Sequence, residues 1–205
     1  MLIAKLARAV SVLCLAGFTA AALAQEAPDA LVKRVQNDVV QTLKVDPKLQ
    51  AGDPARLREL IETKMLPNFD FERMTALALG RNWKTATPEQ QKQLVDQFRS
   101  LLVRTYSGAL TKYRDESFEV KPLKLEPNAT DTMVRTLINR PPNPPIQLDY
   151  GMARVGNEWK AYDVVVGGVS LVTNYRDEFG EQVRANGIDG LINTLTAKNK
   201  QPAGK

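Results

Sequence analysis

The spacing of the hydrophobic residues changes twice along this 205-residue chain. Apolar positions recur every three or four residues as far as Tyr113, alternate with polar positions between Phe118 and Val166, and return to the wider spacing after Gly167-Gly168. The wider spacing indicates helices with one buried face, and alternation indicates strands with one buried face. The order of helices, strands and helices therefore predicts an α+β fold.

The helical segments begin and end at recognisable residues. Asp53-Pro54 combines an N-cap with proline at the first helical position, and Thr87-Pro88-Glu89-Gln90 has the pattern of a capping box. The helix that follows this box carries a long, broad apolar stripe, as expected of a helix packed lengthwise on a sheet. In the last helical segment Gly187 is expected to end one helix and Asp189 to cap another.

The alternating segment contains about four candidate strands, and their short connections predict an antiparallel meander. One connection is the proline-rich segment 140–145, for which a rigid loop is a simpler interpretation than a polyproline ligand. The strands are predicted at residues 118–125, 133–139, 146–155 and 159–166.

Residues 1–24 are predicted to be a cleavable export signal. Lys5 and Arg8 precede an apolar stretch that is shorter than the roughly 20 residues of a membrane span, and Ala22-Leu23-Ala24 has the small-residue pattern of a cleavage site. The protein is therefore expected to work outside the cytoplasm. Residues 25–197 are expected to form one domain, followed by a polar tail at 198–205.

Composition removes most catalytic mechanisms from consideration. The chain has no histidine, and its one cysteine, Cys14, lies in the predicted signal. Histidine-dependent triads, cysteine nucleophiles and imidazole-bound zinc are therefore excluded. The net charge of +5 is spread evenly along the chain and does not indicate a nucleic-acid partner.

Three hypotheses for function remain open at this point. Asp149, Tyr150, Tyr162 and Asp163 are on neighbouring predicted strands and could form an acid-base enzyme site, although alternation places adjacent residues on opposite faces. Alternatively, the apolar strand and helix positions could surround a cavity for an apolar ligand. A ligand-free adaptor with scattered lysine and arginine residues is the third hypothesis.

Eight short strings, in order along the chain, resemble the MlaC family of periplasmic toluene-tolerance or phospholipid-binding proteins. The strings are Leu66-Pro67-Asn68-Phe69-Asp70-Phe71, Leu79-Gly80-Arg81-Asn82-Trp83, Ala86-Thr87-Pro88-Glu89-Gln90, Thr105-Tyr106, Leu148-Asp149-Tyr150, Trp159-Lys160-Ala161-Tyr162-Asp163, Gly168-Val169-Ser170-Leu171 and Gly187-Ile188-Asp189-Gly190-Leu191.

The resemblance implies a strongly curved antiparallel sheet wrapped by helices, similar to the NTF2-like cone, around an apolar cavity. It implies a monomeric periplasmic carrier, not an enzyme, that binds phospholipid as cargo and uses no cofactor or metal. The implied partners are an outer-membrane lipoprotein complex and an inner-membrane ABC transporter with its substrate-binding-type periplasmic subunit.

Candidate lipid-binding residues come from two sources. The matching strings give five of them, and the apolar periodicity of the long helix and the strands adds six more. The first group is Tyr106, Tyr150, Tyr162, Val169 and Leu171, and the second is Phe98, Leu102, Val134, Leu148, Val164 and Val166.

Overall fold

The computed structural model describes residues 26–112 and 116–201, and the predicted export signal at 1–24 lies outside them. Helices come first, a sheet follows, and a long helix ends the described chain. The helices are α1 (Pro28–Val45), α2 (Pro47–Gln50), α3 (Pro54–Leu60), α4 (Phe71–Leu79), α5 (Pro88–Lys112) and α6 (Leu171–Lys200). The strands are β1 (Ser117–Val120), β2 (Asp131–Val134), β3 (Thr136–Arg140), β4 (Asn143–Val155), β5 (Glu158–Val166) and β6 (Val169–Ser170).

The helix starts predicted at Asp53 and Thr87 are confirmed, whereas the Asp189 carboxylate accepts a hydrogen bond from Gln90 Nε2 of α5 at 2.7 Å. The Asp53 side chain accepts hydrogen bonds from the first turn of α3, where Pro54 occupies the first helical position. Before α5, the backbone N–H of Thr87 donates to Gln90 Oε1 at 3.0 Å, and the N–H of Gln90 donates to Thr87 Oγ1 at 3.2 Å. These reciprocal bonds satisfy N–H groups that a helix leaves without backbone partners.

The chain between α3 and α4 departs from the ordinary helix. It forms a π-helix at Ile61–Met65 and then a 3-10 turn at Leu66–Asn68. The proline at position 67 occurs in this tight turn, and the Asn68 side chain donates to the carbonyl of Lys64 at 2.8 Å. This irregular segment brings several apolar side chains toward the sheet.

Helix α6 contains the predicted break at Gly187. Its φ of 69° and ψ of −177° leave the helical region, and a positive φ is accessible to glycine at little cost. The helix then continues to Lys200, where Asn199 Nδ2 donates to the backbone carbonyl of Gln97 at 2.9 Å. Residues 198–200, predicted to begin the polar tail, therefore extend α6 and pack against α5.

The predicted antiparallel meander is confirmed, and its curved sheet is open. The strands follow the order β1-β3-β4-β5-β6, with β2 paired to β4. Strands β2 and β3 are two parts of one predicted strand, interrupted at Arg135. Strand β1 ends at Val120, earlier than predicted, because Pro122 has no N–H to donate to a neighbouring strand.

Within the described residues the hydrophobic side chains form three clusters. One joins α4, α5 and α6, one joins α1 to the sheet, and one joins α1 to α2 and α3. The space where the three clusters meet is not filled by side chains and forms the cavity described below. None of the described helices is long and apolar enough to cross a membrane.

Candidate functional site

An apolar cavity of about 580 Å³ lies between the sheet and helices α1, α4 and α5. This volume is within the range of roughly 300–1,000 Å³ that is usual for small-molecule sites. Its wall includes the inner faces of β4 and β5, one face of α1 and the irregular segment 61–68. No charged side chain of the described residues lines it. The interior therefore suits hydrocarbon, because an unpaired ionic group placed there would lose its hydration.

The opening of the cavity is marked by its most exposed hydrophobic residues. Tyr106, Val166 and Val169 line the cavity and keep 36%, 37% and 58% of their surfaces exposed. Asn174, in the first part of α6, is also exposed and adds a polar group to the lining. Met74 and Met152, in contrast, are 1% exposed and form part of the closed end.

Eight of the eleven candidate lipid-binding residues line this cavity. They come from three parts of the chain that are far apart in sequence: α5, the paired strands β4 and β5, and the turn into α6. They are Leu102, Tyr106, Leu148, Tyr150, Val164, Val166, Val169 and Leu171.

Phe98 is not in the cavity wall. Its ring is fully buried and meets the rings of Tyr175 and Phe179 edge-on, with centroids 5.1 Å away in each case. Helix α5 packs against α6 as well as facing the cavity, and apolar spacing alone does not show which neighbour a residue contacts.

Val134 is also outside the cavity wall. It is paired with Tyr150 across β2 and β4, so both side chains point to the same side of the sheet. Leu31 and Val32 of α1 belong to the same buried cluster, and Val134 is 0% exposed. Helix α1 therefore covers the position that alternation had assigned to the cavity.

Tyr162 faces away from the cavity because β5 contains a β-bulge. Gly151 pairs with Asp163 and Met152 pairs with Ala161, so the register shifts by one residue at Tyr162. An extra residue in one strand reverses the alternation beyond it, and Ala161 takes the inward position instead.

The outward-facing Tyr162 belongs to a polar cluster on the sheet. Its hydroxyl donates to Asp131 Oδ1 at 2.7 Å, and the Arg73 guanidinium lies 3.8 Å from the ring centroid. Burial and the hydrogen bond to the Asp131 carboxylate raise the pKa of Tyr162 to about 12. We infer a structural role for this phenol.

A Tyr162→Phe variant tests this role. The phenyl ring keeps its stacking with Arg73 but loses the hydrogen bond to Asp131, so we expect a loss of about 0.5–1.5 kcal/mol in the free energy of unfolding. Occupancy of the cavity is expected to stay at the wild-type level. Denaturant titration and ligand extraction measure the two quantities, and a clear fall in occupancy would place Tyr162 at the cavity after all.

Helix α1 and the segment 61–71 line the cavity, although no sequence pattern assigned them to the site. The stripe of Leu31, Val35, Val39 and Leu43 shows that α1 is amphipathic, but it does not identify what the apolar face meets. Other lining residues from these two parts of the chain are Val32, Gln36, Val40, Ile61, Met65, Leu66, Asn68, Phe69 and Phe71.

The residues of the enzyme hypothesis do not meet in one site. Asp149 Oδ1 accepts a hydrogen bond from the backbone N–H of Thr136 at 3.2 Å. Asp163 accepts from the Ser170 hydroxyl at 2.6 Å and from the N–H of Val172 at 3.2 Å, and so holds the start of α6. Neither carboxylate lines the cavity that contains Tyr150.

Two of the scattered basic residues line a different part of the surface. Lys84 and Arg176 line a separate surface depression with Gly80 and Arg81, beside α4 and α6. The Arg176 Nε group donates to the carbonyl of Leu77 at 3.1 Å. As for metals, residues 26–112 and 116–201 contain no group of three or more acidic, cysteine or histidine side chains arranged to hold an ion.

Comparison with known proteins identifies the family. A family model described as MlaC protein matches residues 33–197. The chain belongs to the MlaC family. The resemblance expected from the eight sequence strings is thereby confirmed.

Two relatives with functional names match over nearly the whole chain. The intermembrane phospholipid transport system binding protein MlaC of Haemophilus influenzae is 27% identical over 188 residues, covering 90% of this chain and 87% of the relative. Toluene tolerance protein ttg2D of Pseudomonas putida is 26% identical over 197 residues, covering 92% and 90%.

A solved structure matches the fold as well as the sequence. It is the phospholipid-binding protein from Ralstonia solanacearum in complex with a phospholipid, with a TM-score of 0.77 and 38% identity. The match covers 83% of this chain and 96% of that chain. The predicted α+β architecture with a curved antiparallel sheet is therefore shared with this phospholipid-binding protein.

Proposed function

We propose that this protein is a phospholipid carrier that encloses acyl chains in its apolar cavity and leaves the head group at the opening. The observation that carries the proposal is a cavity of about 580 Å³ with no charged side chain of the described residues in its wall. The phospholipid bound to the Ralstonia solanacearum relative supports the same ligand class. Membership of the MlaC family supports a carrier, not an enzyme.

Enclosure explains how such a carrier works. Moving acyl chains from a membrane into water costs about 0.8 kcal/mol for each methylene group, so a free phospholipid hardly leaves its bilayer. An apolar wall replaces the lipid neighbours that the chains lose. The head group keeps its water if it stays near Val169, the most exposed hydrophobic residue of the lining.

The proposed setting is the periplasm, where the protein exchanges phospholipid with an outer-membrane lipoprotein complex and an inner-membrane ABC transporter with its substrate-binding-type periplasmic subunit. Two observations support this setting: the predicted export signal at residues 1–24 and the name of the Haemophilus influenzae relative, which belongs to an intermembrane phospholipid transport system. The proposed exchange involves no catalysis. It requires only that phospholipid can enter and leave the cavity.

Extraction of lipid from vesicles tests the proposal. The purified protein, stripped of ligand, is incubated with phosphatidylethanolamine and phosphatidylglycerol vesicles and then separated from them by size exclusion. We expect phospholipid to elute with the protein at close to a fixed molar ratio. Protein that emerges without lipid from vesicles in excess would contradict the proposed function.

A further inference from the structure

A polar side chain, that of Gln36, is buried in the largely apolar cavity wall. Gln36 lines the cavity from α1 and is only 8% exposed. Its Nε2 atom donates to the hydroxyl oxygen of Tyr150 at 3.3 Å and to Thr136 Oγ1 at 3.5 Å. A buried amide in such surroundings requires partners for all of its polar atoms.

The hydrogen bonds of this group are incomplete. Thr136 donates its proton to the carbonyl of Leu148, so it can only accept from Gln36. Within the described part of the chain, nothing accepts the hydroxyl proton of Tyr150, and the Oε1 atom of Gln36 has no hydrogen-bond partner. The hydroxyl proton of Tyr150 is thus left for a ligand, whereas Gln36 Oε1 is enclosed by the protein.

The position of the group limits which part of a ligand it can meet. Tyr150 is two residues from Leu148 on β4, and Leu148 pairs with Val166 at the opening. At the rise of a β-strand, the Tyr150 position is about 7 Å further into the cavity. A phospholipid with its head group at the opening would place the ester bonds of its acyl chains at this depth.

We infer that Gln36 and Tyr150 form a subsite for the ester carbonyl groups of a diacyl phospholipid. This inference rests on the proposed function and deepens it by naming the linkage that the cavity recognises. The Tyr150 hydroxyl donates to one carbonyl oxygen, and the Gln36 amide orients that hydroxyl.

The subsite predicts selection against ether-linked lipids. A dialkyl phospholipid has the same head group and chain length but no carbonyl oxygen, so the Tyr150 donor would stay unpaired in the complex. One neutral hydrogen bond corresponds to a preference of about fivefold. We therefore expect the protein to prefer the diacyl lipid by about this factor.

Competition between the two lipids measures the preference. Stripped protein is incubated with vesicles containing equal amounts of diacyl and di-O-alkyl phosphatidylglycerol of identical chain length, and the bound lipids are counted by mass spectrometry. We expect about a fivefold excess of the diacyl form on the wild type and a ratio near one on Tyr150→Phe. Tyr162→Phe is the matched control, because it removes a phenol outside the cavity, and it should keep the wild-type ratio.

Three results would overturn the inference. Equal binding of both lipids by the wild type would show that the protein does not recognise the ester carbonyl. This result is obtained with the wild-type protein alone, so it does not depend on whether a variant folds. A diacyl preference that persists in both Tyr150→Phe and Gln36→Leu would place recognition elsewhere. Binding of neither lipid would overturn the proposed function and this inference with it.

Discussion

A Val164→Trp variant is expected to lose most of its phospholipid while it stays folded. Val164 lines the middle of the cavity on β5, directly opposite Tyr150 on β4. An indole ring at this position takes space from at least two acyl methylene groups, each worth about 0.8 kcal/mol, so affinity should fall by at least about tenfold. The fold should tolerate the change, because the added atoms enter open space and not a packed core.

The matched control for this experiment is Val45→Trp. Val45 is at the end of α1, is 71% exposed and does not line the cavity. Both variants are purified without detergent, and the phospholipid per protein is measured after solvent extraction, with circular dichroism as the check on folding. Full occupancy in Val164→Trp, or an equal loss in Val45→Trp, would contradict the assignment of the cavity.

A Phe98→Ala variant is expected to cause a large loss of stability without a matching loss of lipid. The Phe98 ring is fully buried and packs edge-on against Tyr175 and Phe179. Truncating a buried phenylalanine removes its burial energy and leaves a void, which together cost about 3–5 kcal/mol. Because this packing joins α5 to α6, the loss should appear in the free energy of unfolding measured with denaturant.

Phe118→Ala provides the comparison for Phe98→Ala. Phe118 is half-buried and lines the cavity, so its truncation enlarges a space that already exists and should cost less than half as much. Phospholipid per folded protein should stay near the wild-type value in Phe98→Ala under native conditions. A smaller destabilisation for Phe98→Ala than for Phe118→Ala would mean that Phe98 is not part of the main helical core.

The order and type of the elements could be read from the sequence because the responsible signals are local. The reciprocal bonds between Thr87 and Gln90, the glycine break at residue 187 and the alternation along β4 each depend on residues close together in the chain. Apolar periodicity and the family strings together placed most candidate residues on the cavity wall. Whether those residues contact lipid is part of the proposal.

The remaining features depend on contacts between distant segments. The matching strings placed Tyr162 among the cavity residues, but the bulge opposite Gly151 turns its side chain away from the cavity. A Cβ atom added at Gly151 would lie 3.1 Å from Tyr162 Cζ. The close approach of the Tyr162 ring to this strand therefore depends on glycine at position 151. Phe98 and Val134 show the same limit: their burial was foreseen, but the helix that covers each one could not be identified from spacing.

The subsite at Gln36 shows what a cavity can add to simple hydrophobic enclosure. Apolar walls accept any chain of suitable length, since hydrophobic burial has no direction. Gln36 donates a hydrogen bond to the Tyr150 hydroxyl oxygen. The Tyr150 hydroxyl in turn would donate to a ligand carbonyl, and this bond would fix how far the lipid enters the cavity. Burial raises the pKa of Tyr150 to about 12, so this phenol remains a hydrogen-bond donor at every physiological pH.

Native mass spectrometry of the protein, purified from a bacterium without added detergent, tests the central claim most directly. We expect the protein to carry phospholipid in stoichiometric amount and solvent extraction to release it for identification. A stably folded protein that is free of lipid would contradict the proposal that the cavity between α1, α5 and the sheet holds acyl chains.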